Sequence, residues 1–445
     1  MTSVAYVERQ LQDVLGRRAN ELARETGCVV RQRKWDGASL VQTLLFGFQQ
    51  HPHASLEQLA STAQVGGIAV SDTAIDKRFT EACAHFLHAL LEEMSQVVVQ
   101  AAQAVPLKLL KRFSEVICED SSTIVLPDEL ADLWQGCGGN QAHTAAAVKL
   151  HTRWELTRGR LWGPKLTDGR VADRRSPWSQ EPVRAKSLYI ADLGYFSVPR
   201  FVERRGAGGY TLSRLQARTA LFSAQGEALC LEFVLPKQVG QLKELAVLVG
   251  ARQRHPMRLL LLRVPHEIGE KRRKDLREDA RRRGQTVSSE TLRLADWTIL
   301  LTDAPRDLLC FEEALVLLRE RWQMELLYKL WKQQAQVDEW HTQDRWRKLC
   351  ELYAKLLAVT LQHWLIVLFA WHDPQRSLVK LAQVVQDTGW TLMEALAGFR
   401  SLRSALRLIQ RRMQSGCQMN QRRKHPNSAQ LLEAQDVEWT LSWCE

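Results

Sequence analysis

The chain lacks most of the short motifs from which a site is usually inferred. Its cysteines, Cys28, Cys83, Cys118, Cys137, Cys230, Cys310, Cys350, Cys417 and Cys444, never form a C-x-x-C pair. Neither a zinc site nor a disulfide framework is indicated, and scattered thiols of this kind fit a reducing cytoplasm. There is no G-x4-G-K-[ST] loop, so energy from a nucleoside triphosphate cradled in that way is not implied. Ser121 and Ser122 are not accompanied by an evident His and Asp pair, which argues against a hydrolase triad. Residues 1–20 alternate polar and apolar side chains and contain no continuous apolar core of about 7 to 15 residues, so export is not expected. The longest apolar run, residues 364–371, is bounded by Gln362 and His363 on one side and His372 and Asp373 on the other. It is far shorter than the roughly 20 residues of a membrane span and reads as the core of a buried helix. No internal repeat or low-complexity tract is apparent.

What the chain does have is length, apolar content and positive charge. Its 445 residues correspond to two to four domains, at roughly 100 to 200 residues per domain. With 45% apolar and 25% charged residues, each domain can bury a core. A net charge of +11 is most simply explained by a polyanionic partner.

Three textures follow one another along the sequence. Residues 1–105 read as helical, with apolar side chains recurring at helical spacing through Leu40, Leu44, Leu45 and Phe48, then Leu56 and Leu59, then Phe86, Leu87, Leu90 and Leu91. Ser55 with Gln58 forms a capping-box pattern, and Ser71 or Asp72 can cap a following helix. A helix, a glycine turn at residues 64–67 and a second helix carrying Lys77 and Arg78 would place those two cations against DNA in the manner of a helix-turn-helix. From Ser114 the pattern changes to short β-rich runs at residues 116–118, 123–126, 145–150, 188–191, 210–212 and 297–301. Beyond Leu308 it is helical again, with Pro374 and residues 416–420 as breaks. Two basic stretches stand out. Residues 271–283 hold eight Lys or Arg against three acids, and Arg400, Arg403, Arg407 and Arg411 line a helix opposite Leu402, Leu406, Ile409 and Met413. Each is either a solvated face or a phosphate-binding surface. His85 and His88 have no ligand-spaced partners and are expected to be structural or surface residues.

Three acids are notable for their positions. Asp120 follows the run at residues 116–118, and Asp192 ends the run at residues 188–191, so both can lie at an edge of a sheet. Glu325 lies in a helix on which Arg321, Glu325 and Lys332 fall at about 0°, 40° and 20° around the axis, one face presenting a carboxylate between two cations. Three carboxylates brought together repel one another unless a cation is shared. Hard oxygen donors suit Mg²⁺ or Mn²⁺, and two such ions can activate an attacking oxygen and stabilise a leaving one during phosphoryl displacement. Taken singly, an Asp at a strand end is more often a turn residue or cap, and R-x3-E is commonly an ordinary helix salt bridge.

Residues 318–332, L-R-E-R-W-Q-M-E-L-L-Y-K-L-W-K, resemble the Tyr-x2-Arg-x3-Glu-x6-Lys signature of insertion-sequence DDE transposases. V-I-C-E-D-S-S-T-I-V-L-P at residues 116–127 and L-Y-I-A-D-L-G-Y-F at residues 188–196 resemble the segments with the family's first and second catalytic aspartates. S-D-T-A-I-D-K-R-F at residues 71–79 resembles its N-terminal helical region.

The resemblance implies an α/β fold with a ribonuclease-H-like mixed-sheet core at residues 106–345, in which Asp120, Asp192 and Glu325 hold Mg²⁺, with Mn²⁺ as a substitute. Helical domains at residues 1–105, for DNA binding, and 346–445, for dimerisation or DNA contact, would flank the core. Asp192 and Glu325 are 133 residues apart, and in cut-and-paste members a β-rich insertion fills this gap, here about residues 216–293. Trp297 matches the aromatic residue on which a flipped base stacks while a DNA hairpin forms. Arg214 matches an arginine that grips the neighbouring phosphate, and Arg321 and Lys332 would bind further phosphates. The implied partners are double-stranded DNA with terminal inverted repeats, target DNA and a second copy of the chain on the DNA. No membrane is involved, and the location is the bacterial cytoplasm, on the nucleoid when DNA is bound.

Two features depart from the pattern or leave it ambiguous. The signature tyrosine falls on Leu318, which has no hydroxyl. Tyr328 shares the Arg321 face but lies roughly 15 Å further along the helix and cannot simply replace it. Glu119 adjoins Asp120, and neighbouring residues of a strand point to opposite faces. A DNA-binding regulator or a retired transposase, favoured by Leu318, and a structure-specific endonuclease remain as alternatives.

Overall fold

The computed structural model describes residues 3–31, 33–137, 145–282, 284–420 and 430. They fall into two compact units, the first comprising residues 1–106, 120–171 and 325–420 and the second residues 107–119 and 172–324.

The first unit contains helices from both ends of the chain. Capping fixes where several of them begin. Ser55 and Gln58 form the expected capping box at the start of Leu56–Val65, and Ser71 caps Asp72–Asp76 through the Ala74 N–H. The 26-residue helix Arg345–Ala370 is apolar almost all round because it packs against Gly37–Gln50 on one side and Glu81–Gln96 on another. It is long and apolar enough to cross a membrane, but 89% of its apolar window is buried by the fold, which is the expected outcome for residues 364–371. The helix Leu402–Ser415 packs against Val4–Gln12, Arg345–Ala370 and neighbouring helices, buries Leu402, Leu406, Ile409 and Met413 and leaves Arg403, Arg407 and Arg411 exposed. Arg403 pairs with Glu8.

Strand β1, Val116–Leu126, contributes its second half to this unit. There it adjoins β2, Ala146–Glu155, which pairs antiparallel with β3, Leu161–Asp168. The first half of β1 belongs to the second unit and runs parallel to β4, Leu188–Ala191, and β4 parallel to β5, Tyr210–Arg214. The order continues antiparallel through β9 (Trp297–Thr302), β8 (His255–Arg263), β7 (Leu242–Val249) and β6 (Leu221–Ser223). The segment between β5 and β9 therefore extends the mixed sheet and also contains the highly charged helix His266–Arg282. The core of this half is Phe201, Val249, Leu259, Leu261 and Leu301.

Three expectations need correction. The runs at residues 116–118 and 123–126 are one strand of eleven residues, so Asp120 lies inside β1 and not beyond its end. Of the polar residues between the runs, Asp120, Ser121 and Ser122 are half-buried and only Glu119 is buried, which a strand accommodates. The helix expected to carry Lys77 and Arg78 is only five residues long, and Lys77 is its C-cap; Arg78 lies beyond it, just before the next helix begins after Thr80. Arg321 and Glu325 do not share one helix. Phe311–Glu320 ends at Arg321 and Trp322–Gln333 begins after it, with i→i−3 bonds Arg321 to Leu318 and Met324 to Arg321 tightening the junction.

Candidate active site

The geometry within the first unit starts from β1 and the helix Trp322–Gln333. Asp120 is half-buried and its carboxylate accepts the Ser121 N–H at 2.8 Å, whereas its neighbour Glu119 is buried. Glu325 is half-buried in the first turn of its helix. Three residues on, the Tyr328 hydroxyl donates to the Asp120 carbonyl at 2.9 Å and takes a second bond, 2.6 Å, from the Thr152 hydroxyl on β2. One turn further, the Lys332 ammonium donates to the Thr123 carbonyl at 3.3 Å and lies 3.8 Å from Asp338. The helix carrying Glu325 is thus tied at two points to the strand carrying Asp120.

In the second unit Asp192 follows β4, where a parallel strand delivers its C-terminal residue to the sheet edge. Its carboxylate stands 3.4 Å from the Arg321 guanidinium, which is 16% exposed. Arg214 ends β5 with an exposed side chain, in register with Leu300. Trp297 opens β9 half-buried, its indole N–H donating to the Pro236 carbonyl at 3.0 Å and its ring under Arg263. Arg272 and Arg273, from the basic run, are spent on structure: Arg272 donates to the Trp297 carbonyl and the Thr298 hydroxyl, and Arg273 pairs with Asp296. Arg283, the last cation of that run, lies outside the described residues.

The sequence contained part of this arrangement. The expected helical face shared by Tyr328 and Arg321 does not exist, because the helix breaks at Arg321, and nothing local in the sequence shows that the Tyr328 hydroxyl is used on β1 and β2. Leu318 is buried, in keeping with its apolar side chain. His88 stacks on Tyr353 and His85 lies edge-on to Trp346, so both are packing residues, and burial pushes the His88 imidazole below its usual pKa.

The donors suit a hard divalent cation in kind, being carboxylate oxygens at half-buried positions, and Asp192 already takes a cationic partner. Among the described residues no group of three or more acidic, histidine or cysteine side chains stands gathered as an ion site.

Residues 111–361 match the family described as Transposase DDE domain, which covers more than half of the chain. The chain belongs to the DDE transposase family. Dependence on divalent metal is general to such transposases. Similar proteins include the transposase for insertion sequence element IS231B of Bacillus thuringiensis subsp. berliner, 24% identical over 76% of this chain and 75% of that protein. The transposase for IS421 of Escherichia coli is 26% identical over 76% of this chain and 88% of its own length. That for IS1151 of Clostridium perfringens is 20% identical over 78% and 77%. As a DDE transposase the chain is an enzyme that cleaves and transfers DNA strands, and its mixed sheet with flanking helices is the ribonuclease-H-like core of that family.

Proposed function

We propose that this transposase moves an insertion sequence by cutting and pasting, with Asp120, Asp192 and Glu325 as its metal ligands. The observation that carries the reading is the double tie from the Glu325 helix to the Asp120 strand, Tyr328 to the Asp120 carbonyl and Lys332 to the Thr123 carbonyl. A divalent cation held by the three carboxylates, Mg²⁺ with Mn²⁺ as a substitute, lowers the pKa of water and neutralises charge developing on phosphate.

Around it the chain's own residues bind and orient DNA. Arg321 and Lys332 hold non-reacting phosphates, Arg214 grips the phosphate beside an unstacked nucleotide, and the Trp297 ring offsets part of the stacking that nucleotide loses. Water first displaces the 3′ oxygen at the end of the element. The freed 3′-OH then attacks the opposite strand and closes a hairpin, releasing the flanking DNA, and the hairpin is reopened before strand transfer into target DNA. Each step is an in-line displacement at phosphorus, so one set of groups serves all of them. Two terminal inverted repeats need two sets, supplied by a homodimer in the DNA complex. Lys77, Arg78 and the exposed Arg407 and Arg411 supply further phosphate contacts, in the bacterial cytoplasm where the nucleoid lies.

The test is cleavage of duplexes carrying the ends that flank the gene, with Mg²⁺ or Mn²⁺. Asp120→Ala, Asp192→Ala and Glu325→Ala should each abolish cleavage while DNA binding persists, and retained cutting by any one of them removes that residue from the site. A mass showing one protein per pair of ends would exclude the dimer.

A further inference from the structure

Lys355 is a buried cation outside the groups assigned above. It lies in the helix Arg345–Ala370 at 1% exposure, 5.9 Å from the Phe48 ring. Its ammonium donates to two backbone carbonyls of a single loop, Gln336 at 3.0 Å and Glu339 at 2.7 Å. Charged and titratable groups reach it from each side: Glu351 on its own helix, with Arg347 beside that carboxylate; Asp338 and Glu339 on the loop; and His53 from the segment before Leu56–Val65, with His341 against the His53 ring.

The two carbonyls bracket Asp338, the residue 3.8 Å from Lys332. Gln336 has φ +46°, a left-handed conformation that a non-glycine residue keeps only when its surroundings impose it. Val337, between the gripped carbonyls, is 1% exposed, so the loop is anchored by an apolar side chain as well as by the ammonium. The second Asp338 oxygen is buried without a hydrogen-bond partner.

We propose that Lys355 is a positioning residue for Lys332: by clamping the loop at Gln336 and Glu339 it keeps Asp338 where it holds the Lys332 ammonium beside β1. The proposal rests on the phosphate-binding role given to Lys332 above. Lys355 itself touches no DNA.

The test is equilibrium binding of a fluorescein-labelled duplex carrying the gene-flanking end, over a range of salt, by four full-length proteins: wild type, Lys332→Ala, Lys355→Met and the double variant. A methionine fills the volume of a buried lysine without its charge but leaves the Gln336 and Glu339 carbonyls without this donor, so Lys355→Met should melt lower than wild type yet stay folded at the temperature of the binding measurement. Its affinity should nevertheless fall about 5-fold, as coupling through a neighbouring residue allows. Its salt slope should drop by up to about 0.9, the share of one phosphate contact, as in Lys332→Ala. In the Lys332→Ala background Lys355→Met should add nothing. An equal loss in both backgrounds, or none in either, overturns the proposal. If Lys355→Met fails to fold, Asp338→Asn takes its place with the same expectation, and no Lys332-dependent loss overturns the proposal. An unchanged slope in Lys332→Ala itself removes the parent reading instead. Cleavage by Asp120→Ala, Asp192→Ala or Glu325→Ala bears on the metal ligands alone and leaves this outcome untouched.

Discussion

The Tyr328 hydroxyl donates to the backbone carbonyl of Asp120 at 2.9 Å, joining positions 208 residues apart. A side chain that bonds the main chain of another residue constrains where that residue's own side chain can point. Tyr328→Phe keeps the ring and removes the hydroxyl's bonds to the Asp120 carbonyl and the Thr152 hydroxyl. It should cost about 1–3 kcal/mol in urea unfolding, the penalty for an unmade buried hydrogen bond, and lower end cleavage while leaving the salt slope of DNA binding unchanged. Unaltered stability and cleavage would show that the bond does not constrain Asp120.

With the role proposed for Trp297, its replacement should separate a hairpin step from the first nick. Trp297→Ala should leave nicked ends accumulating on denaturing gels with hairpin product reduced, since base–aromatic stacking contributes about 1–3 kcal/mol. Trp297→Phe should retain most hairpin formation even though it cannot donate to the Pro236 carbonyl. Equal hairpin yield from wild type and Trp297→Ala would take this residue out of the step, and linear products alone from wild type at every time point would remove the hairpin.

Gly159 turns the chain between β2 and β3 with φ +74°, and a Cβ there would come within 2.5 Å of the Trp371 ring. Gly159→Ala combines left-handed strain with overpacking and should destabilise the protein by about 2–5 kcal/mol. Calorimetry would show a lowered Tm. A Tm equal to that of wild type would mean that the ring gives way freely.

His363 donates to the carbonyl of that same Gly159 at 2.9 Å and is buried, which pushes its pKa from 6.5 down to about 4. The folded protein therefore holds the ring neutral while the unfolded chain takes up a proton. Its contribution is complete above pH 6.5 and is lost as pH falls through about 4, up to about 3 kcal/mol in all. His363→Gln should flatten the stability profile in that window. A variant as acid-sensitive there as wild type would contradict this.

Lys355 titrates in the opposite range. Burial lowers its pKa from 10.5 to about 8, so between those values the unfolded chain binds the extra proton and rising pH favours the folded state. Relative to Lys355→Met, wild type should gain up to about 3 kcal/mol as pH rises across that interval. Urea unfolding of both proteins at its two ends measures the difference, and parallel profiles would show that the ammonium is not held against burial.

What the sequence determined by itself was whatever a short stretch encodes. Apolar spacing marked the helices, the run at residues 188–191 is β4, and Ser55 with Gln58 placed a helix start, because side-chain period and capping act over a few residues. The ordered blocks around Asp120, Asp192 and Glu325 carried the resemblance to the family that residues 111–361 match. Tertiary structure alone decided the rest. That residues 116–126 form one strand depends on strands distant in sequence that supply hydrogen-bond partners. Whether a cation faces solvent, as Arg407 does, or is spent on β9, as Arg272 is, depends on the surface opposite it. The hydroxyl of Tyr328 and the ammonium of Lys355 have their partners 208 and 16 to 19 residues away. A side chain's reach is local, but which backbone comes within that reach is fixed only when the whole chain has packed.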